Sequence, residues 1–328
     1  MLDNRISLPR IAFEKHHLIV PIYAFFKLNW SGCMSFRNHA YLLSGWEKSS
    51  LDEYSQAYKL YGGSVNTHPD IIKFTQDNTP EEFSFLSKRI RNELISSVFF
   101  CSKNIFCSLG EFNKLTSETE VIFPVKKGVK LLIPFKSKNI SPTHSNCIIN
   151  KLPAIFNKRD ICIVRDDFSK KTIKNRRNEL NRFLKAGGEI TPVSNLTPNE
   201  ICSIYRKLFA IRWGSNLPCN YLLMLEGFIK KHHDMLFGNV LTIAGEACAY
   251  DLIIKSESLN QVYYDVVNGG FDLKYSELSI GSVLMWINTQ QAMSIGKKNN
   301  KNMRFSLGSN TYDYKSRWCK TYQLIRTI

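Results

Sequence analysis

The last sixty residues constrain the fold more than any other stretch. They run from Asn268-Gly269-Gly270 through Ser279-Ile280-Gly281-Ser282 to Tyr314-Lys315-Ser316-Arg317-Trp318-Cys319. Read in order, they predict a strand, a glycine turn, an amphipathic helix over 282–295, a strand over 303–307, a short basic-aromatic turn and a last strand over 323–327. A small-residue turn that opens a helix after a strand can hold an anion. Free backbone N–H groups and the positive end of the helix dipole both point there.

Upstream, punctuation marks the elements. Ser50-Leu51-Asp52-Glu53 reads as a capping box opening a helix that Gly62 stops, and Thr67 is the expected cap of a second, short helix. Residues 82–150 read mostly as strands; 79–100 carries both a helix-start signal and strand alternation, and strands are preferred there. Residues 121–125 and 131–135 flank Lys126-Lys127-Gly128 like the arms of a hairpin, with Pro124 and Pro134 suggesting edges or bulges. A buried-type strand over 161–164 precedes a basic helix over 169–186 and a strand over 189–193. Thr197-Pro198-Asn199-Glu200 is the clearest helix start, and Gly214 ends that helix. A helix over 221–232 and strands over 236–244, 247–255 and 261–268 complete the chain. The expected division is an N-terminal extension over 1–45, poorly ordered, a first α/β half over 46–155 and a second over 156–328.

With 328 residues, 44% of them hydrophobic, the chain can bury a sizeable core. Its formal charge of +16 suggests an anionic partner: nucleic acid, an anionic membrane surface or a phosphate-bearing substrate. A Lys-, Asn- and Ile-rich composition is a competing source of that charge. The nine cysteines are odd in number, no CxxC occurs, and no Cys/His spacing fits zinc, so no metal is expected. Buried thiols in a reducing cytosol are the simplest account. No window of about 18 apolar residues exists for a spanning helix. Residues 18–26 followed by Ser31-Gly32-Cys33 faintly suggest a lipoprotein export signal; a natural start at Met34 fits at least as well.

Four groups of residues are candidates for chemistry. Ser279 or Ser282 can cap the helix that follows, and Gly281 lets a ligand approach the backbone, so these three form the expected seat for a donor's phosphates. Arg212, Lys315 and Arg317 lie beside aromatic residues and are expected to hold a second anionic group. Lys170, Lys171, Lys174, Arg176 and Arg177 gather on one side of the basic helix as a ridge for anionic lipid or nucleic acid. Asp265, on a strand, is the choice for a catalytic base, ahead of Glu246 and His68. No helix-turn-helix spacing suggests sequence-specific DNA reading. Each group also has a purely structural reading as a helix start, a packing residue or a solvated face.

Several motifs in a fixed order resemble one family. They are Tyr61-Gly62-Gly63-Ser64 with Thr67-His68-Pro69; Arg177 with Glu179-Leu180 and Ala186-Gly187-Gly188; Leu208-Phe209 with Arg212-Trp213-Gly214; Asn268-Gly269-Gly270; Gly281-Ser282-Val283-Leu284 with Asn288-Thr289-Gln290; and Tyr314-Lys315 with Arg317-Trp318-Cys319. Over about 46–328 the chain resembles the macrophage-inducible Mig family (Mig-fourteen). That resemblance implies a bacterial protein of virulence and antimicrobial-peptide resistance, cytoplasmic and peripheral to the inner membrane. It implies an α/β (α+β) fold, a GNAT-like mixed sheet flanked by helices in two GNAT-like halves, akin to Fem-type acyltransferases. The implied activity is acyl or aminoacyl transfer. The alternatives are a non-catalytic membrane-associated resistance factor and a transcriptional regulator. The family supplies no catalytic residue set. Against the GNAT acyl-CoA turn, Arg/Gln-x-x-Gly-x-Gly/Ala, Ser276 and Ser279 replace the first two positions and only Gly281 agrees, which counts against acetyl-CoA; the donors kept are an acyl-CoA or an aminoacyl-tRNA, the latter suiting the basic charge.

Overall fold

A computed structural model describes residues 44–101, 114–134 and 136–327. The expectations placed on residues 1–43, including the extension, the export signal and the start at Met34, lie outside the described residues. Gly45–Ile328 forms one compact unit.

The unit begins with a small antiparallel sheet of β1 (Trp46–Ser49), β2 (Phe83–Ile90) and β3 (Glu93–Cys101). Helix α1 (Leu51–Tyr61) starts where the sequence says, with Ser50 Oγ accepting from the Glu53 N–H at 3.2 Å. The reciprocal half of the box is absent, because the Glu53 carboxylate pairs with Arg89 at 2.7 Å instead. Helix α2 (Pro69–Asn78) is capped by His68, whose Nδ1 accepts from the Asp70 N–H at 3.2 Å. Thr67, the expected cap, instead donates its hydroxyl to the Ile122 carbonyl at 2.7 Å. The strand preference over 79–100 holds. The tight β2–β3 turn places Arg91 and Asn92 at φ 50° and 66°, suited to the twist of a hairpin.

The hairpin expected over 121–135 is not formed. Val121 makes a lone parallel bridge to Ile140, and Leu131 makes one to Ile148. Pro124 and Pro134 have no N–H to give a ladder, so this stretch runs as irregular chain over the sheets.

The larger sheet has eight strands. Their order is β11 (Cys319–Gln323), β4 (Asp160–Val164), β10 (Asn302–Ser306), β9 (Gln261–Phe271), β8 (Glu246–Glu257), β7 (Asn239–Ile243) and β5 (Gly188–Pro192), with β6 (Leu236–Phe237) also beside β8. Its neighbours pair antiparallel except β9 and β10, which run parallel across the connection through α6 (Ile280–Lys298). The last strand starts at Cys319, earlier than expected, and Ile325 and Thr327 make only isolated bridges.

Helices cover both faces. On one lie α1, α2, α4 (Pro198–Trp213) and α5 (Cys219–Lys231), meeting the sheet in a core that includes Tyr54, Phe74, Tyr205, Phe228, Tyr250 and Leu252. On the other lie α3 (Lys170–Lys185) and α6, packed on Phe183, Leu241, Tyr264 and Phe305. The α4 capping box is complete: Thr197 accepts from the Glu200 N–H at 3.3 Å, Glu200 accepts from the Thr197 N–H at 2.7 Å, and Gly214 closes the helix at φ 63°. Helix α6 is less amphipathic than its sequence suggested. Ile280, Val283, Leu284, Met285, Trp286, Asn288 and Ala292 are all buried, because α3 lies over the side that the sheet does not take.

Candidate functional site

The site is set by where a parallel pairing stops. β9 and β10 run together from Gln261↔Asn302 to Asp265↔Ser306. β9 then continues to Phe271, while the chain after β10 bends toward β4, Leu307 N donating to the Cys162 carbonyl at 2.9 Å. The two strands splay, and among the described residues no strand pairs with the second half of β9 on that side. Its other edge stays paired with β8.

Two glycines shape the splayed half. Asn268-Gly269-Gly270 was expected to form a turn; it is strand, because both glycines meet a neighbour rather than a bend. A Cβ on Gly270 would strike the Leu208 carbonyl of α4, and one on Gly269 would strike the Asp251 carboxylate, which stands directly opposite in the register. The glycines let α4 and Asp251 close on β9.

Asp251 is half-buried and, among the described residues, makes no hydrogen bond or ion pair. Burial pushes its carboxyl up to about 7, against the opposing pull of Arg212. Arg212, near the end of α4, places its guanidinium carbon 4.0 Å from the centre of the Phe271 ring and 5.1 Å from that of Trp213, without an ion-pair partner among the described residues. The Trp213 indole donates to the Gly269 carbonyl at 3.2 Å, taking one group of the bare edge. Its ring meets Tyr312 at 6.4 Å, and Tyr312 stacks on Tyr314 at 6.1 Å. Burial raises the Tyr314 hydroxyl to about 12, with Asp251 raising and Arg212 lowering it, so the three polar groups share one space. Aromatic rings thus gather around one carboxyl and one guanidinium beside the splay, the crevice left where the two strands part.

The expected donor seat borders this crevice. Ser279 adopts φ 55°, and its carbonyl accepts from the N–H groups of Ser282 at 2.8 Å and Val283 at 3.0 Å; neither serine caps the helix through its side chain. The cradle is therefore narrower than the sequence suggested and centres on Ile280 and Gly281. Gly281 and Ser282 are half-buried. A Cβ on Gly281 would touch the Phe271 ring at 3.4 Å, so Phe271 joins the cradle to Arg212.

The other expected residues lie elsewhere or are otherwise engaged. Lys315 is buried, and its ammonium donates to the carbonyls of Leu307 at 2.7 Å and Ser309 at 2.6 Å, fastening the loop after β10. Arg317 is exposed. Asp265 sits at the last paired rung but points into a separate polar enclosure, where its Oδ2 accepts from the Ser117 N–H at 2.8 Å. There Glu120 accepts from the Tyr263 hydroxyl at 2.9 Å and pairs with Arg304 through two bonds, one of 2.8 Å. Burial raises Asp265 to about 7 as well. His68 is a helix cap, and Glu246 pairs with Lys207 at 2.5 Å on the surface. No cluster of metal-binding side chains occurs among the described residues.

On α3, Lys170, Lys171, Lys174 and Arg177 are exposed along one face. Arg176 is turned inward, 4.7 Å over the Trp318 ring and 2.6 Å from Glu179. No helix among the described residues is long and apolar enough to cross a membrane.

Sequence reasoning missed Asp251. A signal was present: one acid inside the apolar run from Cys248 to Ile254. Its meaning needed the register, which sets it against Gly269.

A family model described as Mig-14 matches residues 68–327. Among solved structures, FemX superposes with a TM-score of 0.53 at 9% identity, over 86% of this chain and 97% of that one. L-PGS from Bacillus licheniformis follows at 0.40 and 14%, over 80% and 77%. The C-terminal domain of a putative lysylphosphatidylglycerol synthetase from Agrobacterium fabrum gives 0.35 and 13%, over 57% of this chain and 64% of that domain's chain. Of these likenesses, the one to FemX bears on the fold, which is GNAT-like. No curated protein sequence matches the chain at a significant level.

Proposed function

The chain belongs to the Mig-14 family, and from that premise and the GNAT-like fold we propose that it transfers an acyl or aminoacyl group to an amine or hydroxyl of an envelope precursor. The observation that carries this reading is the splay of β9 from β10 beside the start of α6, which leaves a half-buried crevice with an anion-accepting helix end on its rim. In the reaction the nucleophile attacks the donor's carbonyl carbon. A new C–N or C–O bond forms, the bond to the donor's thiol or ribose oxygen breaks, and the nucleophile's proton leaves for a base. Gly281 and its neighbouring amides hold the donor's phosphates against the helix dipole. The exposed cations of α3 bring the protein to the anionic inner face of the membrane, where the product contributes to resistance against antimicrobial peptides.

Isothermal titration of the full chain with acyl-CoAs and with aminoacyl-tRNA tests the catalytic part. One donor class binds, and Gly281→Glu weakens it by about tenfold or more, through a repelled phosphate and a displaced Phe271. Absence of binding by every donor would remove the enzymatic reading.

The exposed face of α3 favours one second reading, a non-catalytic membrane-associated factor. Donor binding separates the two, since only the enzyme requires it.

A further inference from the structure

The crevice holds a carboxyl and a guanidinium that do not pair with each other, and burial holds back the carboxyl's ionisation until a cation arrives. Arg212 is held against the rings of Phe271 and Trp213, and Asp251 is held by the register that sets it on Gly269. Neither has a hydrogen bond or ion pair among the described residues, and both are only half-buried. Partly buried charges without partners are costly, so an arrangement that holds two of them apart is complementary to something else. A guest with one charge satisfies one group and is repelled by the other. A cation drawn to Asp251 meets Arg212, and an anion drawn to Arg212 meets Asp251.

We propose that the crevice beside the unpaired half of β9 seats a zwitterion, its ammonium on Asp251 and its oxyanion on Arg212. The aromatic walls suit the ammonium end, since the faces of Tyr312 and Tyr314 add cation–π attraction. The guanidinium keeps its edge N–H groups for a carboxylate or phosphate while its face rests on Phe271. The same chemistry is carried by an amino-acid unit and by the phosphoethanolamine head of a lipid. This inference rests on the transferase reading and names the substrate class of that site.

Binding of small probes to the full chain, followed by NMR line broadening and titration, tests it. L-alanine and O-phosphoethanolamine are compared with their halves: ethylamine, acetate and inorganic phosphate. The expected result is that one or both zwitterions bind about tenfold or more tightly than either half. Asp251→Asn, which keeps shape and space, brings phosphoethanolamine down to the level of phosphate and alanine to that of acetate. Arg212→Gln brings both to the level of ethylamine. Preference for alanine assigns an amino-acid source, and preference for phosphoethanolamine a lipid one. The proposal is overturned if no zwitterion outbinds its halves, or if Asp251→Asn changes neither. The transferase reading is judged separately by donor titration: zwitterion binding without donor binding sinks that reading alone, and donor binding without zwitterion preference sinks only this one.

Discussion

Two carboxyls in this molecule, Asp251 and Asp265, are held far above their ordinary value by burial, and they have different surroundings. Asp265 is the more enclosed, with one oxygen on the Ser117 N–H and the other, Oδ1, buried without a partner. Its folded value of about 7 exceeds the ordinary 3.8. Below about pH 4 the folded and unfolded chains both keep this proton. Between about 4 and 7 the unfolded chain releases it while the fold retains it, so stability falls as pH rises through that window. At about 1.4 kcal/mol per unit the loss amounts to at most about 4 kcal/mol. Asp265→Asn removes it: the urea midpoint of the variant declines less between pH 4 and 8 than that of the parent. Equal slopes would show that Asp265 ionises freely in the fold. His144 works in the opposite direction. It is stacked on Phe123 at 4.3 Å, and burial lowers it to about 3, so its contribution fades as pH falls below about 6.5.

Elements that were legible carried their own boundary chemistry. Helix α4 has its cap, its Pro, its reciprocal Glu and its closing Gly within one short stretch, and all act locally. Helix α3 was legible in its extent, while its Ser169 cap came only with the structure. The 121–135 hairpin failed because apolar alternation says nothing about whether prolines will face a ladder. Asn268-Gly269-Gly270 looked like a turn because glycine marks a turn and a close approach equally well. Only the distant Leu208 and Asp251 decide between them. At this scale α3 also yields a prediction. Four of its five named cations face solvent, and Arg176 does not. Reversing Lys170, Lys171, Lys174 and Arg177 to Glu abolishes flotation with vesicles containing anionic phosphatidylglycerol, and the parent's flotation weakens from low to high salt. Adding Arg176→Glu instead destabilises the fold, since it breaks the contact with Trp318. Unchanged flotation in the quadruple variant would discard the ridge.

At the scale of the whole molecule, the irregular stretch after β3 is tied to the larger sheet through a polar stitch. Glu120, on the irregular stretch, is buried against Arg304 of β10 and Tyr263 of β9. Removing one partner of such a buried pair leaves the other charge stranded, at about 3–5 kcal/mol. Glu120→Ala should lower the unfolding midpoint accordingly, and Glu120→Ala with Arg304→Met should recover much of it, as read by denaturant melts. If the double variant is no more stable than the single one, the cost lies in packing and not in the orphaned guanidinium. None of this stitch was legible in the sequence, because its three members come from distant parts of the chain and only the fold brings them together. The general class of fold was legible, since its closing order of elements is local.

The bare margin of β9 carries a liability of its own. A strand edge without a strand beside it invites an extended chain to add itself, including another copy of this protein; here the Gly269 N–H is already taken by the Asn268 side chain at 2.8 Å. The Trp213 indole, lying across that margin at Gly269, acts as a guard against such recruitment. The ring that shapes the opening thus also covers a stretch of strand edge that a neighbouring chain would need for pairing.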